Sequence, residues 1–193
     1  LLKNIMGLWI VQECRRHWET QGETLDYATI AKLAAEAKPF TAWIDPDDMM
    51  FFAPGNMPDR INAFLTRTGQ SPIYDKGQMI RVILESLAVR YRQVLAMLED
   101  VSGQTIQSLH IIGGGTQNEL LNQLAADATG KTVVTGPVEA TVLGNVLVQG
   151  KACGQIRSLA HGRQIVAASL PTKTYSPRPD SRWAAFIGHF EKK

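Results

Sequence analysis

The 193-residue sequence predicts an α/β fold, and three observations carry that prediction. From Lys76 to about Asp100 the apolar residues Ile80, Ile83, Leu84, Leu87, Tyr91, Val94, Leu95 and Leu98 recur at three and four, marking one long helix. Ser108 to Ile112 reads as a buried strand, and Gly113, Gly114 and Gly115 separate it from an amphipathic helix marked by Leu120, Leu121, Leu124, Ala125 and Ala128. Thr132 to Thr135 reads as a second strand, so the long helix is expected to pack lengthwise on a sheet.

The elements before that helix follow from periodicity and capping. Met6, Trp9, Ile10 and Cys14 share one face of a helix expected from Lys3 to Trp18, and the basic run Arg15-Arg16-His17 suits its C-terminus. Asp26 stands where an N-cap belongs, ahead of Ile30, Leu33, Ala34 and Ala37, and Pro39 closes that segment. Residues 40–58, FTAWIDPDDMMFFAPGNMP, mix aromatics with prolines and a glycine and read as a loop with a short extended piece. Pro58 and Asp59 start the next helix, Gly69 stops it, and Asp75 caps the long one.

After the second strand, the Gly136-Pro137 turn leads to a helix from Glu139 to Val148, rich in small and apolar residues, and Ser158 to Ala168 reads as another. A loop containing Pro171, Pro177 and Pro179 precedes a last helix with Trp183, Phe186, Ile187 and Phe190 at i, i+3, i+4 and i+7. No repeat or low-complexity segment interrupts this order.

Composition bounds the function. With 45% hydrophobic residues the chain can bury a sizeable core as one domain, or as one large domain with a small appendage. A net charge of +2, spread along the chain, lacks the basic footprint of a nucleic-acid or membrane binder. Cys14 and Cys153 lack CxxC spacing, so no disulfide framework or zinc site is indicated and a reducing, cytoplasmic setting fits. The apolar cluster Ile5 to Val11 contains Gly7 and runs into Glu13, Arg15 and Arg16, which is too short for a membrane span. The chain opens on Leu1 with no initiator Met and no cap ahead of a helical pattern, so further residues are expected upstream.

The glycine loop is the leading site candidate. Strand, glycine loop and helix present backbone N–H groups at a helix start, and glycine lets a ligand approach because it has no Cβ. A tight turn alone needs one glycine, not three. The loop is no dinucleotide fingerprint, since G-x-G-x-x-G requires glycine at Asn118, and a Rossmann-type oxidoreductase is correspondingly weak. Asn118 offers a side-chain amide suited to capping the loop or to meeting a ligand.

Other motifs lead to ordinary structure. Ala125 to Thr132 ends in Gly-Lys-Thr like a P-loop, but a helix precedes it and a strand follows, so helix C-cap is the better reading. Asp45, Asp47 and Asp48 could hold Mg²⁺, but Asp-Pro-Asp-Asp is also turn chemistry, which is favoured. His17, His110, His161 and His189 share no ligand spacing, so no metal-binding residue is assigned.

Three segments together resemble the FGGY family of carbohydrate kinases. LHIIGGGTQNELLNQLAAD (109–127) with GPVEATVLGN (136–145) is similar to the family's adenosine-binding segment. GQMIRVILESLAVRYR (77–92) is similar to its preceding long helix. LKNIMGLWIVQE (2–13) and FFAPGNMPDRINAFLTRTGQ (51–70) narrow the match to members that act on L-rhamnulose. The last forty or so residues add less, although TYSPRPD before a terminal helix is compatible.

The resemblance implies an actin-like ATPase (ribonuclease H-like) fold. Residues 1–193 would be its C-terminal nucleotide-binding domain, without the first strands and the whole N-terminal sugar-binding domain. It implies transfer of the ATP γ-phosphoryl group to the C1 hydroxyl of L-rhamnulose, with Mg²⁺ accompanying ATP. By the same resemblance Gly114 approaches the nucleotide, Gly113 and Gly115 shape the loop, Asn118 borders the adenine, Gln12 contacts ATP and Asn4 contacts the sugar. Asn4 and Gln12, read as lying on one helix, would be about 12 Å apart.

The family's catalytic base and N-terminal phosphate loop match nothing here, so no catalytic residue is assigned and this chain alone is expected to be inactive. A kinase for another ketose or polyol, and a non-catalytic nucleotide- or sugar-sensing module, are the alternatives.

Overall fold

The computed structural model describes residues 2–191; Leu1, on which the upstream expectation partly rests, lies outside them. In order, the helices are α1 (Trp9–Thr20), α2 (Tyr27–Glu36), α3 (Met57–Arg67), α4 (Lys76–Ser102), α5 (Glu119–Thr129), α6 (Ala140–Ala152), α7 (Leu159–Ser169) and α8 (Arg182–Glu191). The strands are β1 (Ser108–Ile111), β2 (Thr132–Thr135) and β3 (Lys173–Tyr175). The mixed α/β expectation holds.

The first helix departs from expectation. It begins at Trp9, not Lys3, because Gly7 adopts φ +59°, a left-handed conformation that ends any right-handed run through it. Asn4 therefore lies in an irregular, exposed segment, and the spacing of Asn4 and Gln12 along one helix does not apply.

The expected caps of α2 and α4 are in place. The Thr29 amide donates to Asp26 Oδ1 at 2.7 Å, and the Gln78 amide donates to Asp75 Oδ1 at 2.7 Å. Gly130 C-caps α5 in the left-handed region, which settles Gly-Lys-Thr as a helix end followed by β2.

The main core is helical. Ile83, Leu84 and Leu87 of α4 are fully buried among Ile10, Cys14, Ile61, Phe64 and Leu65. The long helix packs chiefly on α5 and α2 instead of lying along a sheet. Through Tyr91 it also reaches a smaller cluster of Ala125, Ala126 and Val133. The sheet has too few strands to offer α4 a face as long as the helix itself.

That sheet has order β1-β2-β3. β1 and β2 run parallel, with Ser108 opposite Thr132 and Ile111 opposite Thr135, and α5 is the crossover a parallel pair requires. β3 joins β2 antiparallel, from Val133 opposite Tyr175 to Thr135 opposite Lys173. Three residues inside a proline-rich stretch carried no periodic signal, and β3 went unread as a strand. β1 is also less buried than expected, with His110 exposed and the following Ile112 62% exposed.

Residues 40–47 form no strand, and side chains satisfy their backbone groups instead. Gln70 accepts from the Trp43 amide at 2.8 Å and donates to the Trp43 carbonyl at 2.9 Å. Buried Ser86 accepts from the Ile44 amide at 3.0 Å while donating to the Val82 carbonyl at 2.7 Å. Two members of the acidic cluster make local turn bonds, Asp45 Oδ1 accepting the Asp47 amide at 3.1 Å and Asp48 Oδ1 the Met50 amide at 3.0 Å. Asp47 accepts from the Met6 amide at 3.1 Å and from Arg90 Nε at 2.8 Å, and Asp48 pairs with Arg67 at 2.5 Å.

α6 contrasts with this packing. It buries no side chain, and Val142, Val146 and Val148 are 56%, 57% and 70% exposed.

Candidate functional site

The three glycines play three different parts. Gly113 has φ +79° and donates its N–H to the Pro137 carbonyl at 2.9 Å, so it turns the chain off β1 and ties it to the neighbouring loop. Gly114 to Gln117 form a single 3-10 turn. A Cβ at Gly114 would meet nothing within 4 Å, and Gly114 is not among the positive-φ residues. Neither packing nor backbone conformation among the described residues demands glycine at 114.

The turn is held from inside. Thr116 donates through Oγ1 to the Gly113 carbonyl at 2.8 Å, and fully buried Asn122 donates through Nδ2 to the Thr116 carbonyl at 2.9 Å. Asn122 had no sequence signal beyond its place on the inner face of α5. Asn118 does cap: its Oδ1 accepts the Leu121 amide at 2.9 Å, which aims the side chain at the start of α5.

Across from the turn stand the first residues of α1 and α2, enclosing an open cavity of about 800 Å³. Gln12, Gly114, Gly115 and Asn118 all line it, together with Gln117. Four of the residues singled out in the sequence thus converge although Gln12 and Asn118 are far apart in the chain. Gly113 shapes the turn from behind, and Asn4 is not in the lining.

Sequence reasoning missed the wall made by α2. Asp26, Tyr27, Ala28, Ile30 and Ala31 line the cavity with Leu8, Trp9 and Val11 of the α1 region, giving it a largely apolar surface. On a helix near the N-terminus, those residues read only as a cap and an amphipathic stripe. Hydrogen bonding from Thr29 holds the Asp26 carboxyl below its ordinary value, so it is ionised near neutral pH. The Arg15 guanidinium stacks 4.5 Å from the Tyr27 ring centroid.

Among the described residues, no three or more His, Cys, Asp or Glu side chains converge as a metal site. No helix among them is long and apolar enough to cross a membrane. Both cysteines are free, Cys14 buried and Cys153 exposed.

Comparison with known proteins places this architecture. The family model of the FGGY family of carbohydrate kinases, C-terminal domain, matches residues 1–153. A rhamnulokinase of Bacteroides thetaiotaomicron is 44% identical over 191 residues, covering 99% of this chain and 39% of that protein. A rhamnulokinase of Oceanobacillus iheyensis is 39% identical over 175 residues, covering 91% of the chain and 36% of that protein. The chain thus spans well under half the length of these curated relatives.

Solved structures agree on the fold. Xylulose kinase from Rhodospirillum rubrum superposes with a TM-score of 0.66 at 22% identity, over 96% of this chain and 36% of that one. Plasmodium falciparum glycerol kinase with ADP gives 0.67 at 14% identity, over 97% and 36%. With the family model matching most of its length, the chain belongs to the FGGY family of carbohydrate kinases and corresponds to their C-terminal domain.

Proposed function

We propose that this chain is the nucleotide-holding part of an ATP-dependent kinase that phosphorylates L-rhamnulose at C1 in rhamnose catabolism. The observation that carries the proposal is the cavity in which Gln12, Gly114, Gly115 and Asn118 meet. Its size suits a cofactor-sized ligand. The names of the relatives at 44% and 39% identity support the sugar assignment, and the glycerol kinase solved with ADP supports the nucleotide.

In the reaction the C1 hydroxyl oxygen of the sugar bonds to the γ-phosphorus of ATP, and the bond from that phosphorus to the β-γ bridging oxygen breaks. L-rhamnulose 1-phosphate and ADP form, and the hydroxyl proton passes to a base outside this chain. This chain's residues bind and orient: Gly114 lets the nucleotide approach the backbone, Asn118 borders the base and Gln12 reaches it from α1. Asn4 is assigned to the sugar on resemblance alone. Mg²⁺ would arrive with the triphosphate and neutralise its charge, since these residues offer no acidic cluster of their own.

The first strands of the domain and an N-terminal sugar-binding domain are proposed to lie upstream and to complete the cleft. The bare valines of α6 give that remainder an apolar surface to cover. A cytoplasmic location accords with two free cysteines.

The test is ADP release by the full-length protein with ATP and L-rhamnulose, set against other ketoses and polyols. Preference for another sugar overturns the sugar assignment, and nucleotide binding with no ADP release from any of them favours a sensing module. Thermal protection of the chain by NAD but not ATP removes the kinase reading altogether; ATP at a hundred times its Kd should add about 2.7 kcal/mol. Gly114→Val should abolish that protection with the fold intact.

A further inference from the structure

We propose that Asp26 and Tyr27 form the wall that selects the nucleoside end of the ligand, Tyr27 by stacking on the base and Asp26 by accepting a hydrogen bond from the nucleoside. The inference rests on the nucleotide reading of the cavity and adds what that reading leaves open, namely how the pocket distinguishes one nucleotide from another.

Asp26 is the one charged side chain in the lining. A nucleoside triphosphate is strongly anionic, and like charges in contact are costly, so its phosphates are kept away from the start of α2. The uncharged nucleoside is the part that fits there. An ionised carboxylate is an acceptor only, with about four lone-pair sites; the Thr29 amide uses Oδ1, and the Thr29 hydroxyl and Ala28 amide also bear on the group. The capacity that remains suits an N–H or O–H group and disfavours a carbonyl oxygen in the same place.

Tyr27 supplies the flat surface. It is 53% exposed and lines the cavity, while Arg15, which stacks on its ring, lies outside the lining. The guanidinium covers one face of the ring, so a base would stack on the other, and Asp26 accepts the Thr29 amide as its capping bond. The acceptor and the aromatic surface are adjacent in sequence on one rigid helix start. That arrangement recognises a base together with a donor group close to it.

Two groups of a nucleoside carry such a donor: the exocyclic amine of the base and the ribose hydroxyls. ATP, ITP and 2′-deoxy-ATP separate them, because ITP replaces the amine by a carbonyl and the deoxy analogue removes one hydroxyl. Dissociation constants measured by calorimetry should show ATP favoured about tenfold over one of the two analogues, and that analogue identifies the donor.

Asp26→Asn keeps an oxygen to cap α2 but replaces the acceptor-only carboxylate with an amide that also donates. It should erase the preference while changing the disfavoured analogue's affinity less than twofold. Tyr27→Ala should weaken ATP roughly tenfold, and Tyr27→Phe should retain it. Circular dichroism of each variant checks that α2 persists. If the wild-type protein binds no ATP, the nucleotide reading fails and takes this inference with it. If it binds ATP but shows no preference, or Asp26→Asn shifts all three nucleotides equally, or Tyr27→Ala changes nothing, this inference alone is overturned.

Discussion

Glu85 Oε2 accepts the backbone N–H of Phe40 at 2.9 Å, and Phe40, with φ +58°, is the only non-glycine residue with positive φ among the described residues. Glu85 also takes Arg81 Nε at 2.6 Å. The strained turn is therefore anchored by a fully buried carboxylate on α4. The Phe40 ring adds edge contacts to Trp183 at 4.8 Å and a tilted one to Phe186 at 5.2 Å, so the same turn seats α8.

That burial produces a pH dependence. Desolvation pushes the Glu85 carboxyl above its ordinary 4.5, outweighing the opposing pull of Arg81 and the Phe40 amide. The folded chain thus holds this proton more tightly than the unfolded one. The Glu85 contribution to stability is full below pH 4.5 and is lost as pH rises through the raised folded value. Urea unfolding across this range should show that decline in the wild type, and Glu85→Gln should lack it. Glu85→Ala at pH 7 should cost about 3–5 kcal/mol, because it strands Arg81 and the Phe40 amide.

Asn118 caps α5, and substitution separates that task from the proposed contact with the nucleotide. Asn118→Asp keeps the oxygen that caps Leu121, so the urea midpoint should hold, but it removes the side-chain amide donor of this cavity-lining residue and should weaken ATP at least fivefold. Asn118→Ala should weaken ATP and also lower stability by about 1 kcal/mol through loss of the cap. Equal ATP affinity in wild type and Asn118→Asp would remove Asn118 from the ligand wall.

Gly77 is a packing glycine, not a conformational one. A Cβ there would lie 2.7 Å from the Leu33 carbonyl oxygen, where backbone of α2 meets the first turn of α4. Gly77→Ala should destabilise the chain by about 1–3 kcal/mol, with a lower thermal midpoint as readout. Because α2 carries Asp26 and Tyr27, the substitution should loosen nucleotide binding as well.

The two thiols should behave oppositely. Burial, with the Glu13 charge beside it, pushes the Cys14 thiol far up, while Cys153 is exposed at the end of α6. A thiol reagent at pH 8 should modify one cysteine per folded chain and two in denaturant. Rapid modification of both in the folded state would contradict the packing of α1.

Much of this was written into local sequence. Caps at Asp26 and Asp75, the stop at Gly130 and the periodicity of α4 act through contacts within a few residues, so the order of elements could be read directly. The glycine loop was equally local: a strand, a turn that only glycine leaves open, and a helix start. The three-residue β3 and the real start of α1 were not readable, the first because it exists only by pairing with β2 and the second because Gly7 overrides an apolar pattern. The packing of α4 on α2 and α5 depended on which apolar stripes met across the chain, and periodicity shows that a face is buried without showing what covers it.

The site divides in the same way. By itself the sequence determined one wall, Gly113 to Asn118, and a family to which that wall belongs. The family resemblance already assigned Gln12 to the same ligand, and only the tertiary structure decided that Asp26 and Tyr27 stand opposite the glycine turn, while Asn4 does not line the cavity. Those residues reach the cavity through helix packing between segments about ninety or more positions apart, and such proximity depends on the summed fit of two helix faces, which no local pattern encodes.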